Sequence, residues 1–229
     1  MMRSSDSGCS AGVTIIRHPR RTFTNEALRF HADAEQTVGM PITNDHVWTL
    51  EEVWALPGDP HHRYELVDGA LLVSPSPRLL HQRAAHELQV SLHEFARKVG
   101  SCEIIAAPSD VVIPLGHLVQ PDVYVIRRLS QAELRADART LPLPMLAIEV
   151  LSPSTARADR LIKRRLYQRA GIELWIVDLD ARIVERWTPE AAQPEICPEW
   201  IAWCPVGASE TFLLDVEALM RRILDDQTL

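Results

Sequence analysis

A chain of 229 residues, 46% of them hydrophobic, can bury one substantial core, and a second full-sized domain would be a tight fit. Its 31 Asp and Glu against 24 Lys and Arg give a net charge of −7, which excludes a protein that coats nucleic acid through bulk charge. No apolar run reaches about 18 residues and the N-terminus lacks the apolar stretch of a signal peptide, so a cytoplasmic protein that enters no membrane is expected.

Residues 1–45 mix Ser, Gly, Thr, His and Arg without sustained periodicity and read as a flexible extension ahead of one domain, 46–229. Thr49 followed by Glu52 three residues on is a capping box and predicts a short helix from Leu50. Arg63–Val67 and Ala70–Ser74 are strand-like runs joined by Asp68-Gly69, a dipeptide suited to a tight type I′ turn. Between Leu79 and Val99, the residues Leu88, Leu92, Phe95 and Val99 recur at steps of four, three and four, the stripe of an amphipathic helix.

Three extended segments follow, Glu103–Ala106, Asp110–Pro114 and Pro121–Ile126. Met145–Leu151 is almost continuously apolar, the pattern of a strand buried on both faces, interrupted by Glu149. Ser154 or Thr155 can cap a helix running to about Ala170, with Gly171 placed to end it. Glu173–Asp178 and Arg182–Trp187 read as a strand pair. Strands near Trp200–Trp203 and Thr211–Leu214 and a helix over Val216–Leu224 close the chain. Cys9, Cys102, Cys197 and Cys204 match no paired metal-site spacing and read as free thiols; only Cys197 and Cys204 are placed to bridge a hairpin.

Three acids stand in apolar strands, where an ionised carboxylate loses several kcal/mol of hydration: Glu65, Asp122 and Glu149. A hard divalent cation needs only one or two such carboxylates, with water and substrate completing its shell. The one close histidine pair, His61-His62, points its rings in opposite directions along an extended segment, which argues against zinc. Residue 151, which shares a strand face with Glu149, is leucine. An amine near the site would have to come from elsewhere, and Lys163, about two turns into the following helix, has the reach. Asp159, four residues before it, allows the plainer reading of a helical salt bridge. Arg157, Arg160, Lys163, Arg164, Arg165 and Arg169 fall within thirteen residues, either a solvated helix face or a local phosphate grip.

Tyr64 to Gly69, Pro121-Asp122-Val123, Glu149 to Thr155, Asp159 with Lys163, and Tyr167 through Gly171 to Asp178 together resemble the Uma-two (Uma2) family of restriction-endonuclease-like proteins, within the PD-(D/E)XK nuclease superfamily. The resemblance runs from about Trp48 to the C-terminus and does not include residues 1–45. It implies an α/β (α+β) fold with a restriction-endonuclease-like core, a central mixed β-sheet flanked by helices, and hydrolysis of DNA phosphodiesters. By motif position, Asp122 and Glu149 are the metal acids, Glu65 an additional acid, the Val150 carbonyl a further metal ligand, and Lys163 the superfamily lysine displaced from position 151. The expected cofactor is Mg²⁺, with Mn²⁺ as substitute.

Arg157, Arg160 and Arg164 are then expected on the DNA backbone. Nucleases that cut both strands often dimerise, and the apolar C-terminal strands offer a surface for a homodimer. Two other readings stand beside a DNA endonuclease: a catalytically silent DNA-binding or assembly module with the same fold, and a hydrolase of another phosphoester such as RNA. Tyr167, Trp175 and Trp187 read as packing residues, and His81 and His86 as helix-edge histidines, His81 lying near enough to a loop to be a weak site candidate.

Overall fold

The computed structural model describes residues 46–136 and 140–225. The expected N-terminal extension lies outside the described residues. Helix α1 (Leu50–Trp54) starts at Thr49, and both capping-box bonds form: the Thr49 hydroxyl accepts from the Glu52 amide, and the Glu52 carboxylate accepts from the Thr49 amide. The hairpin of β1 (His62–Val67) and β2 (Ala70–Pro75) turns at Asp68 and Gly69, whose φ angles are 50° and 76°. A Cβ added at Gly69 would stand 2.6 Å from Val47 Cγ1, in a backbone conformation that already disfavours side chains. Gly69→Ala is therefore expected to lower stability by about 1–2 kcal/mol, read as a lower urea midpoint at unchanged m-value.

Helix α2 spans Leu79–Val99 and ends at Gly100 in the left-handed conformation. It buries Leu88 and Leu92 completely, each contributing about 1.5–3 kcal/mol of burial free energy. Strands β3 (Cys102–Ala106), β4 (Val111–Ile113), β5 (His117–Val119), β6 (Val123–Arg127) and β7 (Leu146–Val150) follow. Three residues of β5, too few to show an alternation, left no sequence signal.

The crossover after β7 is helical from Ala156 to Arg169 but not uniformly α: α3 (Ala156–Ala158) passes into a π-helical turn, Asp159–Lys163, and then α4 (Arg164–Arg169). Then come β8 (Glu173–Asp178), β9 (Ile183–Trp187), β10 (Glu195–Cys197), β11 (Trp200–Trp203), β12 (Phe212–Asp215) and α5 (Val216–Leu224). Cys102, Cys197 and Cys204 are free thiols, so the 197–204 bridge does not form. No helix among the described residues is long and apolar enough to cross a membrane.

Six strands make the main sheet in the order β10-β9-β8-β7-β6-β3; only β7 and β8 run parallel, as their helical crossover requires. A second, four-stranded antiparallel sheet has the order β2-β1-β5-β4, and β11 pairs with β12. This is the expected mixed sheet with flanking helices. All five residues of β7 are buried, and alternation divides them. Leu146, Ile148 and Val150 join Leu88, Leu92 and Leu219 in one core, beneath α2 and α5. Ala147 joins Leu166 and Tyr167 of α4 and residues of the smaller sheet in another. Glu149 shares the Ala147 face, so it points at the helical crossover and the smaller sheet.

Candidate active site

The register of β6 and β7 pairs Val123 with Ile148; continued by one position it brings Asp122, just ahead of β6, beside Glu149, and Asp122 Oδ2 accepts from the adjoining Val150 amide. Cross-strand partners share a face, so two acids meet there, 4% and 2% exposed. Glu65 enters from β1 and is also buried. Its Oε1 accepts from the Gln120 amide at 2.8 Å, which ties the smaller sheet to the segment leading into Pro121-Asp122.

Lys163 binds this acidic group together. Its Nζ donates to Glu149 Oε1 at 2.9 Å and lies 3.3 Å from Glu65 Oε1. Asp159 Oδ1 is 2.9 Å from the same ammonium, an ion pair by distance but off the angle of a hydrogen bond. The salt bridge within the helix and the reach to the strand are thus both present, made by one buried ammonium. Tyr167, four residues on, donates its hydroxyl to Glu149 Oε1 at 2.8 Å. Asp159, Lys163 and Tyr167 form one stripe on the inner side of the crossover. Position 151, by contrast, is apolar packing: Leu151 lies half-buried against the second core.

Asp122 has its own donors. Arg63 Nη1 meets Oδ1 at 2.7 Å, while Oδ2 accepts from the Val150 amide and lies 2.9 Å from His81 Nε2. Burial alone would raise the Asp122 carboxyl, but the bonds and charges of His81 and Arg63 outweigh it and hold the pKa below the usual range. For Glu149 the balance is opposite. Burial drives its carboxyl well up, Lys163 counters, and the negative charges of Asp159, Asp122 and Glu65 add to the rise. Burial pulls the Lys163 ammonium down, yet Asp159, Glu149 and Glu65 together lift it well above the ordinary lysine range. Three carboxylates thus face one lysine, and the surplus negative charge, with Asp122 adding to it, falls on Glu149.

A family model described as "Putative restriction endonuclease" (Uma2) matches residues 50–202, which include every one of these side chains. The chain belongs to the Uma2 family. It is also similar to a solved structure, described as a "putative nuclease belonging to DUF820" from Anabaena variabilis, at 24% identity and a TM-score of 0.63, over 77% of this chain and 99% of that one. That likeness bears on the fold. No curated protein matches the chain.

The basic residues of the crossover are placed differently from one another in this Uma2 protein. Arg157 and Arg165 are exposed. Arg160 is engaged by Glu185 at 2.6 Å and Asp178 at 2.8 Å, and Arg164 stacks over Trp187 with its Cζ 4.4 Å from the ring centroid. Arg160 and Arg164 would have to exchange these partners to bind a phosphate.

Arg63 was not singled out by the sequence, and His81 only weakly. An arginine at the start of a hairpin strand and a histidine in the first turn of a long helix carry no spacing signal, because Asp122 lies far from both in the chain. Tyr167 did carry one, the step of four from Asp159 and Lys163, yet its apolar surroundings read as packing. It is in fact both, fully buried and bonded to Glu149.

Proposed function

We propose that the protein is a metal-dependent endonuclease that hydrolyses DNA phosphodiester bonds, with Mg²⁺ as cofactor and Mn²⁺ as substitute. The observation that carries the reading is the buried group in which Asp122, accepting from the Val150 amide, stands beside Glu149, with the Lys163 ammonium bonded to Glu149. Among the described residues no three His, Cys, Asp or Glu side chains converge as a ready cation site. Two carboxylates and a carbonyl suffice for Mg²⁺, however, and the surplus negative charge around Glu149 suits a divalent cation. The donor set fits, with Asp122, Glu149 and the Val150 carbonyl as the ligands.

When bound, such an ion supplies a water of lowered pKa and polarises the phosphoryl oxygen. The side chains do the rest. Lys163, kept protonated by three carboxylates, cannot serve as a general base at neutral pH; its Nζ protons orient the attacking water and offset charge on the phosphoryl oxygens. Glu65 and Asp159 hold that ammonium in place, and Tyr167 fixes the rotamer of Glu149. Arg157, exposed on the crossover that carries Lys163, is available to the DNA backbone.

One observation favours the silent-module reading: both Asp122 oxygens already have protein partners in Arg63, His81 and the Val150 amide. The two readings separate when purified protein is incubated with supercoiled plasmid and with single-stranded DNA and RNA, in Mg²⁺, Mn²⁺ or EDTA. Cleavage that needs the cation and disappears in Asp122→Asn is expected. Nucleic-acid binding without cleavage of any substrate would instead establish the silent module, and cleavage of RNA alone the other phosphoesterase.

A further inference from the structure

A cleft of about 670 Å³ opens beside Asp122. Arg63 and His81, the two side chains on the Asp122 carboxylate, belong to its wall, as do Trp54, Tyr64 and Gln89 of α2. Arg63 is 20% exposed and uses Nη1 on Asp122, which leaves other donors of its guanidinium for a ligand. His81 shapes the same wall without offering a ligand a free donor: its Nε2 lies 2.9 Å from Asp122, and its Nδ1 is buried, without a hydrogen-bond partner among the described residues.

The volume lies in the range of small-ligand pockets, about 300–1,000 Å³, and so admits a nucleotide. It is too small for a duplex, whose major groove alone is about 12 Å wide. Nucleic acid can fill it only as an unpaired strand or as a nucleotide turned out of the stack. The aromatic side chains Trp54 and Tyr64, half-buried against the small core of Val53 and Leu66, line the cleft and supply the residue type on which single strands stack without sequence preference. Arginine is well suited to the adjoining phosphate because its planar fork matches two oxygens at once.

We infer that this cleft is the subsite for an unpaired nucleotide of the substrate, its phosphate held by Arg63 and its base by Trp54 and Tyr64. The inference rests on the nuclease reading for its biological sense but concerns binding alone. A substrate with single-stranded character, such as an end, flap or bubble, follows from it. The acidic chain thereby acquires a local phosphate contact without a basic surface.

The test is fluorescence anisotropy of the full chain with labelled oligonucleotides in EDTA, where no cleavage interferes. A single strand is expected to bind at least about tenfold more tightly than the blunt duplex of the same sequence. DNA and RNA strands are compared, and a single-strand preference in either supports the subsite and identifies the sugar. Arg63→Gln is expected to weaken single-strand binding about tenfold. Because that change also strips a partner from buried Asp122, Gln89→Glu serves as the second variant: it places a negative charge in the cleft from α2 at unchanged side-chain length, does not touch Asp122, and should bring the single strand down to duplex affinity. Lys98→Gln, at the far end of α2, should change nothing. Equal affinity for strand and duplex, or undiminished single-strand binding by folded Gln89→Glu protein, overturns the subsite. Metal-dependent plasmid cleavage alongside either result leaves the nuclease reading standing; tight single-strand binding with no cleavage of any substrate leaves the subsite standing and removes the nuclease.

Discussion

Lys163→Met is expected to lower the stability of the folded protein by about 3–5 kcal/mol and to abolish cleavage. The size follows from what is left behind. Methionine fills much of the space of the lysine stem, so the cavity is small. Glu65, Glu149 and Asp159, all buried, would lose the one ammonium common to them. In a chain of this length that loss corresponds to a melting temperature lower by roughly 10 °C.

The electrostatic cause has a signature that lost packing lacks. Glu149 already has its carboxyl raised by burial, and removing Lys163 takes away the charge that counters the rise. A carboxyl whose folded pKa exceeds its unfolded value contributes stability in acid and loses it as pH rises through the folded pKa. The stability gap between Lys163→Met and parent should therefore narrow as pH falls and widen toward pH 8, measured by urea unfolding across the range. A gap independent of pH would assign the loss to packing. Adding Glu65→Gln and Glu149→Gln to Lys163→Met should recover most of the stability and none of the activity, because the whole charged cluster can be replaced even though no single partner can.

How far the sequence carried the site depends on the range of the interaction. Helix α2 was legible to the residue because the step from Leu88 to Val99 repeats locally, and the hairpin because Asp68-Gly69 sets its own turn. Glu149 was conspicuous because an acid in an unbroken apolar strand has few reasons to be there. Lys163 could be reached from Asp159 and from the length of the crossover, both local quantities. The π-helical turn that carries Asp159 through Lys163 could not: an extra residue in one turn changes backbone bonding without a distinctive composition.

Long-range partnerships were the other blind spot. Arg63 and Asp122 are 59 residues apart, and nothing in either neighbourhood announces that the smaller sheet folds back onto the end of β6. The same reason explains the Arg-rich crossover. Seen as a string, Arg160 and Arg164 belong to a cationic patch of six basic residues over 157–169 with one acid, Asp159, among them. In the fold, Glu185, Asp178 and Trp187 arrive from β8 and β9 to occupy both. Among the arginines expected on DNA, Arg157 alone stays exposed, while Arg63 stands at the cleft.

Glu149→Gln is expected to separate stability from activity in the opposite direction to Lys163→Met. Glutamine keeps the side-chain length and an oxygen able to accept from both Lys163 and Tyr167, so the bonds at 2.9 and 2.8 Å survive in kind. What disappears is one negative charge from a cluster that has too many. The sign is fixed by the raised carboxyl: ionising Glu149 in the folded state costs more than ionising it in the unfolded chain, so above the ordinary carboxylate range the native side chain is a liability. The variant should accordingly unfold at higher urea than the parent at pH 7 to 8, by about 1–2 kcal/mol, with the advantage shrinking toward pH 5. Cleavage should fall by at least about 10²-fold, since the amide neither carries the charge that holds a divalent cation nor polarises its surroundings to the same degree. A variant both less stable and still active would remove Glu149 from the proposed chemistry. A variant more stable and inactive would mark this buried carboxylate as a group retained at a cost to folding for what it does to the substrate.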